Sequence, residues 1–328
     1  MYHVFGHTSP DTDAFMSSLA FCHYLNIQQL PAIAYRLGEP NLETAYILSE
    51  CQRRYPETIK PKLLPYLNPC DPFTILHRGD DVALTDHNEP AQSIDHLCDF
   101  NICYVIDHHK LGLSTPTPAY VRIHPVGCTC TILYEMFEQK SLEIPAYLAF
   151  LMLSAIISDT LNLTSPTTTH DDVMAVEKLC KLCHMTQTNK DDFADKMFAA
   201  KSDVSKLTAR QILLMDYKEY TLGGDRWGIA GIETVSPKIV LDRQDELTQE
   251  AMLIQQEKGL NHLMIAIVDI KENMGYATAH DPAQNKILQQ AFNTSHDDQV
   301  FLLPSVVSRK KQIIPALERY YHDLAGNA

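Results

Sequence analysis

The segment Gly6-His7-Thr8-Ser9-Pro10-Asp11-Thr12-Asp13 puts one imidazole and two carboxylates on a single short turn. Three potential ligands this close together suit a divalent cation. They equally suit a polar turn in which Asp13 favours the start of a helix dipole. Three further segments tip the balance: Asp86-His87-Asn88-Glu89, Asp107-His108-His109 and Ser158-Asp159-Thr160, each following an apolar run. Alone, Asp86-His87-Asn88 reads as well as a capped loop. The adjacent imidazoles His108 and His109 serve no evident packing purpose. Asp159, directly after an apolar helix, would be partly buried and would need a partner. His7, Asp11, Asp13, Asp86, His108 and Asp159 are therefore the candidate metal ligands. Two imidazoles and four carboxylates are too many for one cation with open positions. They suit a pair of divalent ions about 3.5–4 Å apart. Nitrogen and oxygen donors without thiolate fit Mn²⁺, Co²⁺ or Zn²⁺ better than an all-oxygen Mg²⁺ or Ca²⁺ site. The chemistry of such a pair is activation of water against a phosphoester or phosphoanhydride.

Those residues need a frame that brings distant segments together. The opening turn joins a strand at residues 2–5 to a helix at 14–25. Further strands are expected at 32–35, 81–85, 101–106 and 120–124, and helices at 42–54, about 131–138, 148–157 and 171–184. Pro56, Pro61, Pro65 and Pro69 mark an irregular connection. The alternation predicts an α/β fold with a mostly parallel sheet flanked by helices. In such sheets, sites form beyond the carboxyl ends of the strands, and three of the polar segments end strands. A polar stretch then suggests a linker at 188–194, between domains at 1–187 and 195–328. The second half predicts helices at 193–200, 208–215 and 246–258, a hairpin at Gly223-Gly224, and a strand at 263–268 paired with 275–279. It reads as a smaller mixed α+β domain.

The tail carries Ser308-Arg309-Lys310-Lys311-Gln312, three adjacent cations in a chain of formal charge −14. A charge run is usually a solvated face. The functional reading is an anion clamp, with Arg as a fork on phosphate and Lys as a point charge. Lys218 could add to it. With 27 Lys and Arg against 41 Asp and Glu, broad nucleic-acid binding is not expected. An anionic substrate remains compatible, because bound metal ions reverse the local potential. No signal peptide is visible at the start. The longest apolar stretch, 144–157, is short of the roughly 17–25 residues a bilayer needs. A cytoplasmic protein without a membrane partner is expected. The nine cysteines read as free thiols. Cys180-Lys181-Leu182-Cys183-His184 matches a haem-attachment spacing, but on an amphipathic helix it reads as chance.

Taken together, these motifs resemble the manganese-dependent (family II) inorganic pyrophosphatases of the DHH phosphoesterase superfamily. The motifs stand in that family's order from Gly6 to Pro315, and Pro125-Val126-Gly127-Cys128-Thr129 is similar to a further family element. The resemblance implies that His7 and Asp11 hold one metal, Asp13 and His108 the other, and that Asp86 and Asp159 bridge both. It implies that His109 contacts substrate or leaving group, and that Lys218, Arg309 and Lys310 bind phosphate on the second domain. It further implies hydrolysis of pyrophosphate to two phosphates by in-line attack of a hydroxide bridging the two metals, and a second domain that closes over the site. Two Mn²⁺ per subunit (or Co²⁺), Mg²⁺ arriving with substrate, and a homodimer through the first domain follow from the same resemblance. The interval between Asp86 and Asp159 is too short for the regulatory nucleotide-binding insert of some members. Lys110 stands where Arg is common, and Cys130 where a small residue is common.

Two other functions compete. An exopolyphosphatase of the same superfamily would need a longer, more basic channel than this acidic chain suggests. A noncatalytic metal-dependent phosphate-binding protein would carry the six ligands but leave no open coordination position.

Overall fold

The computed structural model describes residues 1–56, 64–205, 207–297 and 300–326. Part of the proline-marked connection, residues 57–63, lies outside the described residues. By internal packing the chain divides into residues 1–200 and 201–328.

In the first unit, β1 (Tyr2–Phe5), α1 (Thr12–Ile27), β2 (Ala32–Tyr35), α2 (Leu42–Arg54), β3 (Asp81–Thr85), β4 (Asn101–Asp107) and β5 (Tyr120–Ile123) follow in order. Then come α3 (Thr129–Gln139), α4 (Ala146–Asp159), α5 (His170–Leu182) and α6 (Gln187–Lys201). The five strands form a sheet in the order β2-β1-β3-β4-β5, with every pairing parallel. Parallel strands buried on both faces demand near-continuous apolar runs. Val4, Phe5, Val82, Ala83, Leu84, Val105 and Ile106 meet that demand, each completely enclosed. The chain crosses from β1 to β2 on one side and returns to β3 on the other. The carboxyl ends of β1 and β3 therefore flank the point where strand order reverses, where open sheets leave a crevice.

α1 packs tightly against β1. A Cβ at Gly6 would lie 2.6 Å from the Ala14 carbonyl oxygen, so only glycine lets the strand turn this closely into the helix. Asp11 caps α1 by accepting from the Ala14 N–H at 3.0 Å, the usual work of Asp at this position. α4 is apolar around its whole circumference, and Leu148 through Ser158 are all buried. A helix of that kind runs through the core and delivers its last residue, Asp159, to the sheet's edge.

Residues 188–194, expected as a linker, instead form the first half of α6. Lys190, Phe193, Ala194, Met197 and Phe198 are its buried residues, a spacing of three and four that defines one helical face. The polar composition that suggested a linker belongs to the opposite, solvated face. The chain divides after Ala200, beyond that helix.

The second unit contains α7 (Ala209–Met215), β6 (Tyr217–Leu222), β7 (Asp225–Thr234), α8 (Pro237–Leu241), α9 (Gln244–Lys258), β8 (His262–Asp269) and β9 (Met274–Thr278). It ends with α10 (Pro282–Phe292), β10 (His296–Asp297), β11 (Val300–Pro304) and α11 (Ile314–Gly326). Its sheet has the order β10-β11-β9-β8-β7-β6. Only β7 and β8 pair in parallel; the other neighbours are antiparallel. β6 and β7 are the expected hairpin, turning through Gly223 and Gly224 at φ +60° and +92°. The two faces of the sheet carry separate cores, one around Ile265 and Ile254, the other around Trp227 and Phe301.

Candidate metal centre

All six sequence-predicted ligands converge at the carboxyl edge of the first sheet. Ligand atoms of His7, Asp11 and Asp86 lie within 4.8 Å of one another, as do those of Asp86, His108 and His109, and those of Asp13, His108 and Asp159. Asp86 joins the first two groups and His108 the last two, so the three form one continuous cluster. His7 Nε2 stands 3.6 Å from both Asp11 Oδ1 and Asp86 Oδ2. His108 Nε2 stands 3.4 Å from Asp86 Oδ1.

Asp86, Asp13 and His108 are each aimed by specific neighbours. Asp86 leaves β3 with φ +59°, a left-handed conformation that Asp tolerates better than most residues. Its N–H bonds the Ile106 carbonyl at 3.0 Å, tying the turn to β4. Asp13 receives the N-terminus of α3: Thr129 N–H donates to Oδ2 at 2.6 Å and Cys130 N–H to Oδ1 at 3.2 Å. The Thr129 hydroxyl donates to Asp86 Oδ1 at 3.0 Å. His108 Nδ1 lies 3.0 Å from the Val126 carbonyl. A carbonyl only accepts, so Nδ1 carries the proton and Nε2 presents its lone pair to the cluster.

The donor set fits divalent cations. Asp86 is fully enclosed, and its carboxyl is pushed well above the usual range, first by burial and then by repulsion from Asp13, Asp11 and Asp107. Among the described residues, imidazole nitrogens of His7, His108 and His109 stand 3.6, 3.4 and 3.8 Å from its carboxyl oxygens. A buried carboxylate facing three others is stabilised when a cation supplies the missing positive charge. Cys128 and Cys130 also reach Asp13, but burial drives both thiols upward. Both are completely enclosed in the core.

His109 has a different character. Its side chain is about half exposed, and Nδ1 donates to Asp107 Oδ1 at 2.9 Å, which turns Nε2 outward. Burial alone would raise the Asp107 carboxyl, yet hydrogen bonds from His109 and Asn88 hold it below its usual range. Asn88 Nδ2 donates to Asp107 Oδ2 at 2.6 Å, and Asn88 Oδ1 accepts from Gly112 N–H at 2.6 Å. His87 takes no part: Nδ1 meets the Thr85 carbonyl, Nε2 meets Ser93 Oγ, and burial lowers it to about 4, so it stays neutral.

A cavity of about 640 Å³ opens on the cluster, lined by Asp11, Asp86, His108, His109 and Asp159 and walled by Pro125–Gly127 and Pro166–Thr169. Asp172, itself buried, fastens those walls. It accepts from Gly127 N–H at 2.8 Å and from Thr169 N–H at 2.7 Å.

In the second unit, Arg309 directs both Nη atoms at Asp216: Nη1 to its carbonyl and Nη2 to Oδ1, each at 2.7 Å. Nη1 also reaches the Ile229 carbonyl at 3.5 Å, and Ile229 is the register partner of Lys218. Arg309 and the exposed Lys218 thus share one edge of the β6–β7 hairpin. Arg309 begins a π-helical turn, Arg309–Ile313, braced by Gln312 Oε1, which accepts from the N–H groups of Val307 and Ser308 at 2.9 Å each. The Lys310 side chain lies outside the described residues.

Sequence reasoning assigned no role to Asp107, Thr129, Asn88, Asp172 or Asp216. Asp107, Asn88 and Thr129 sat inside motifs already singled out. Asp172 and Asp216 meet Gly127 and Arg309 across long sequence separations that no local pattern marks.

The chain matches the DHH family N-terminal domain over residues 2–156 and the DHHA2 domain over residues 195–320. It is 41% identical to a Deinococcus radiodurans protein named "probable manganese-dependent inorganic pyrophosphatase", covering 98% of this chain and 99% of that one. It is 36% identical to the manganese-dependent inorganic pyrophosphatase of Bacillus subtilis, covering 96% of each. Among solved structures, a Methanococcus jannaschii "putative family II inorganic pyrophosphatase" superposes with a TM-score of 0.71 at 30% identity, covering 98% of this chain and 100% of that one.

Proposed function

From the premise that this chain belongs to the manganese-dependent (family II) inorganic pyrophosphatases of the DHH phosphoesterases, we propose that it is a hydrolase converting inorganic pyrophosphate to two phosphates at a two-cation centre in its first unit. The convergence of six side chains from four separate segments on one cluster, four of them (Asp11, Asp86, His108 and Asp159) lining one cavity, carries this reading. His7 and Asp11 would hold one cation and Asp13 and His108 the other, with Asp86 and Asp159 serving both. Divalent cations at such a site supply an acidified water and positive charge for in-line displacement at phosphorus. Mn²⁺ or Co²⁺ suits the mixed donors, with Mg²⁺ arriving on the substrate.

The chain's own groups do the rest. His109, oriented by Asp107 and half exposed, meets the leaving phosphate with Nε2. Arg309 forks phosphoryl oxygens, and Lys218 and Lys310 add point charges. Stabilisation of the transition state is mainly electrostatic and positional. Phosphate release from pyrophosphate with Mn²⁺ added should be abolished by a chelator and restored by Mn²⁺. Release that survives chelation, or that is faster from long-chain polyphosphate than from pyrophosphate, rejects this reading.

The same reading includes a homodimer through the first unit and a cytoplasmic location. β5 is an edge strand of its sheet, and it carries exposed Tyr120 and Val121. Unpaired edges of this kind are usually covered, and a second copy of β5 is the occupant. Val121→Glu should convert the dimer to monomer in light scattering, and a dimer that persists in that variant argues against this edge. The free cysteines suit a reducing compartment.

A further inference from the structure

The segment 160–169 connects α4 to α5 and serves the site at both ends. It begins immediately after Asp159, the last residue of α4. It finishes in Pro166, Thr167, Thr168 and Thr169, which wall the cavity. Wherever this segment moves, a ligand carboxylate and a cavity wall move with it.

Its centre is strained. Leu161, Asn162 and Leu163 have φ values of 49°, 54° and 70°. Three successive left-handed residues without a glycine are unfavourable, least so at Asn162, and such strain persists only where the surroundings over-determine it. Part of the restraint is local: Asn162 N–H bonds the Ile157 carbonyl at 2.8 Å and Ser165 N–H the Thr160 carbonyl at 2.8 Å. The rest comes from α6. Lys190 Nζ donates to Asn162 Oδ1, and Asn162 Nδ2 donates to Asp191 Oδ1 at 3.0 Å. Lys190 Nζ also pairs with Asp191 Oδ1 at 2.8 Å. Both ends of one side-chain amide are therefore held by neighbouring residues of one helix.

Lys190 is only 1% exposed. Burying an ammonium is expensive unless it is paired and hydrogen-bonded, and an apolar residue would fill the same position on the inner face of α6 more cheaply. The helix it belongs to is also the one by which the chain leaves the first unit, ending at Lys201.

We propose that Lys190 and Asp191 clasp Asn162 as a positioning device, fixing the 160–169 segment and through it the Asp159 carboxylate and the cavity wall. The proposal rests on Asp159 being a cation ligand.

The test is the Mn²⁺ dissociation constant of the metal-free protein, measured by titration alongside thermal unfolding. Asn162→Gly keeps the left-handed backbone available and deletes the amide, while Lys190 keeps Asp191. Lys190→Met keeps the stem and removes the charge. Each should weaken Mn²⁺ binding about tenfold, as loss of outer supporting groups does. The double variant should be no worse than the weaker single, and Lys190→Arg should recover most of the affinity. If Asn162→Gly melts lower but binds Mn²⁺ like the native protein, the clasp is purely structural and the proposal fails. Should Asp159→Asn leave Mn²⁺ affinity unchanged, the ligand assignment beneath the proposal is what has failed.

Discussion

Asp86→Asn lowers turnover by about 10³-fold or more while leaving the fold intact. Asn has the same shape as Asp and shares its tolerance of the left-handed backbone that Asp86 adopts at φ +59°. The Ile106 and Thr129 contacts can therefore persist. What disappears is the charge that lies between His7 and His108, at 3.6 and 3.4 Å. A shared ligand stabilises both cations, and the transition-state charge they neutralise amounts to several kcal/mol. About 4 kcal/mol corresponds to a 10³-fold loss. Without metal the sign reverses. Asp86 is destabilised by burial and by Asp13, Asp11 and Asp107, so neutralising it relieves repulsion. The metal-free variant should melt no lower than the metal-free native protein. Steady-state turnover at saturating Mn²⁺, with thermal unfolding of both metal-free forms, checks the two statements. Near-native turnover, or a metal-free variant that melts well below the native form, contradicts them.

Arg309→Lys should lower kcat/KM by about 10²–10³-fold, the usual cost of losing one fixed donor to developing charge, without changing Mn²⁺ affinity. Asp216 and the Ile229 carbonyl hold the guanidinium in one orientation, with its side chain 15% exposed. A lysine keeps the charge but presents no planar fork, so it cannot grip two phosphoryl oxygens at a fixed angle. The two predictions separate the parts of the account. Loss at Asp86 is a loss of metal and activity together, and loss at Arg309 is a loss of substrate recognition with the metal centre undisturbed. An Arg309→Lys enzyme with native kcat/KM would remove the fork from the mechanism.

Much of the site was legible because its residues break strong local patterns. His7, Asp86 and His108 follow buried strands whose apolar runs are unmistakable. Asp159 ends a helix with no polar face, where a carboxylate is conspicuous. Supporting contacts that join distant segments were not legible, because the partners lie far away along the chain. Thr129 meets Asp13 across 116 residues, and Asp172 meets Gly127 across 45. α6 misled for a physical reason. Its first turns are polar because they face solvent, and nothing local to the sequence shows that Lys190 turns inward to Asn162. The parallel sheet of the first unit followed from strand and helix alternation, whereas the parallel β7–β8 pair within an otherwise antiparallel second sheet has no signature in those two segments.

The claim beneath all of this is that side chains from the carboxyl edge of one sheet hold two divalent cations. Equilibrium binding of Mn²⁺ to the metal-free chain tests it most directly. The account predicts two tightly bound ions per native chain and weakened binding of both in Asp86→Asn. One ion per native chain, or two ions bound undiminished by Asp86→Asn, would contradict it.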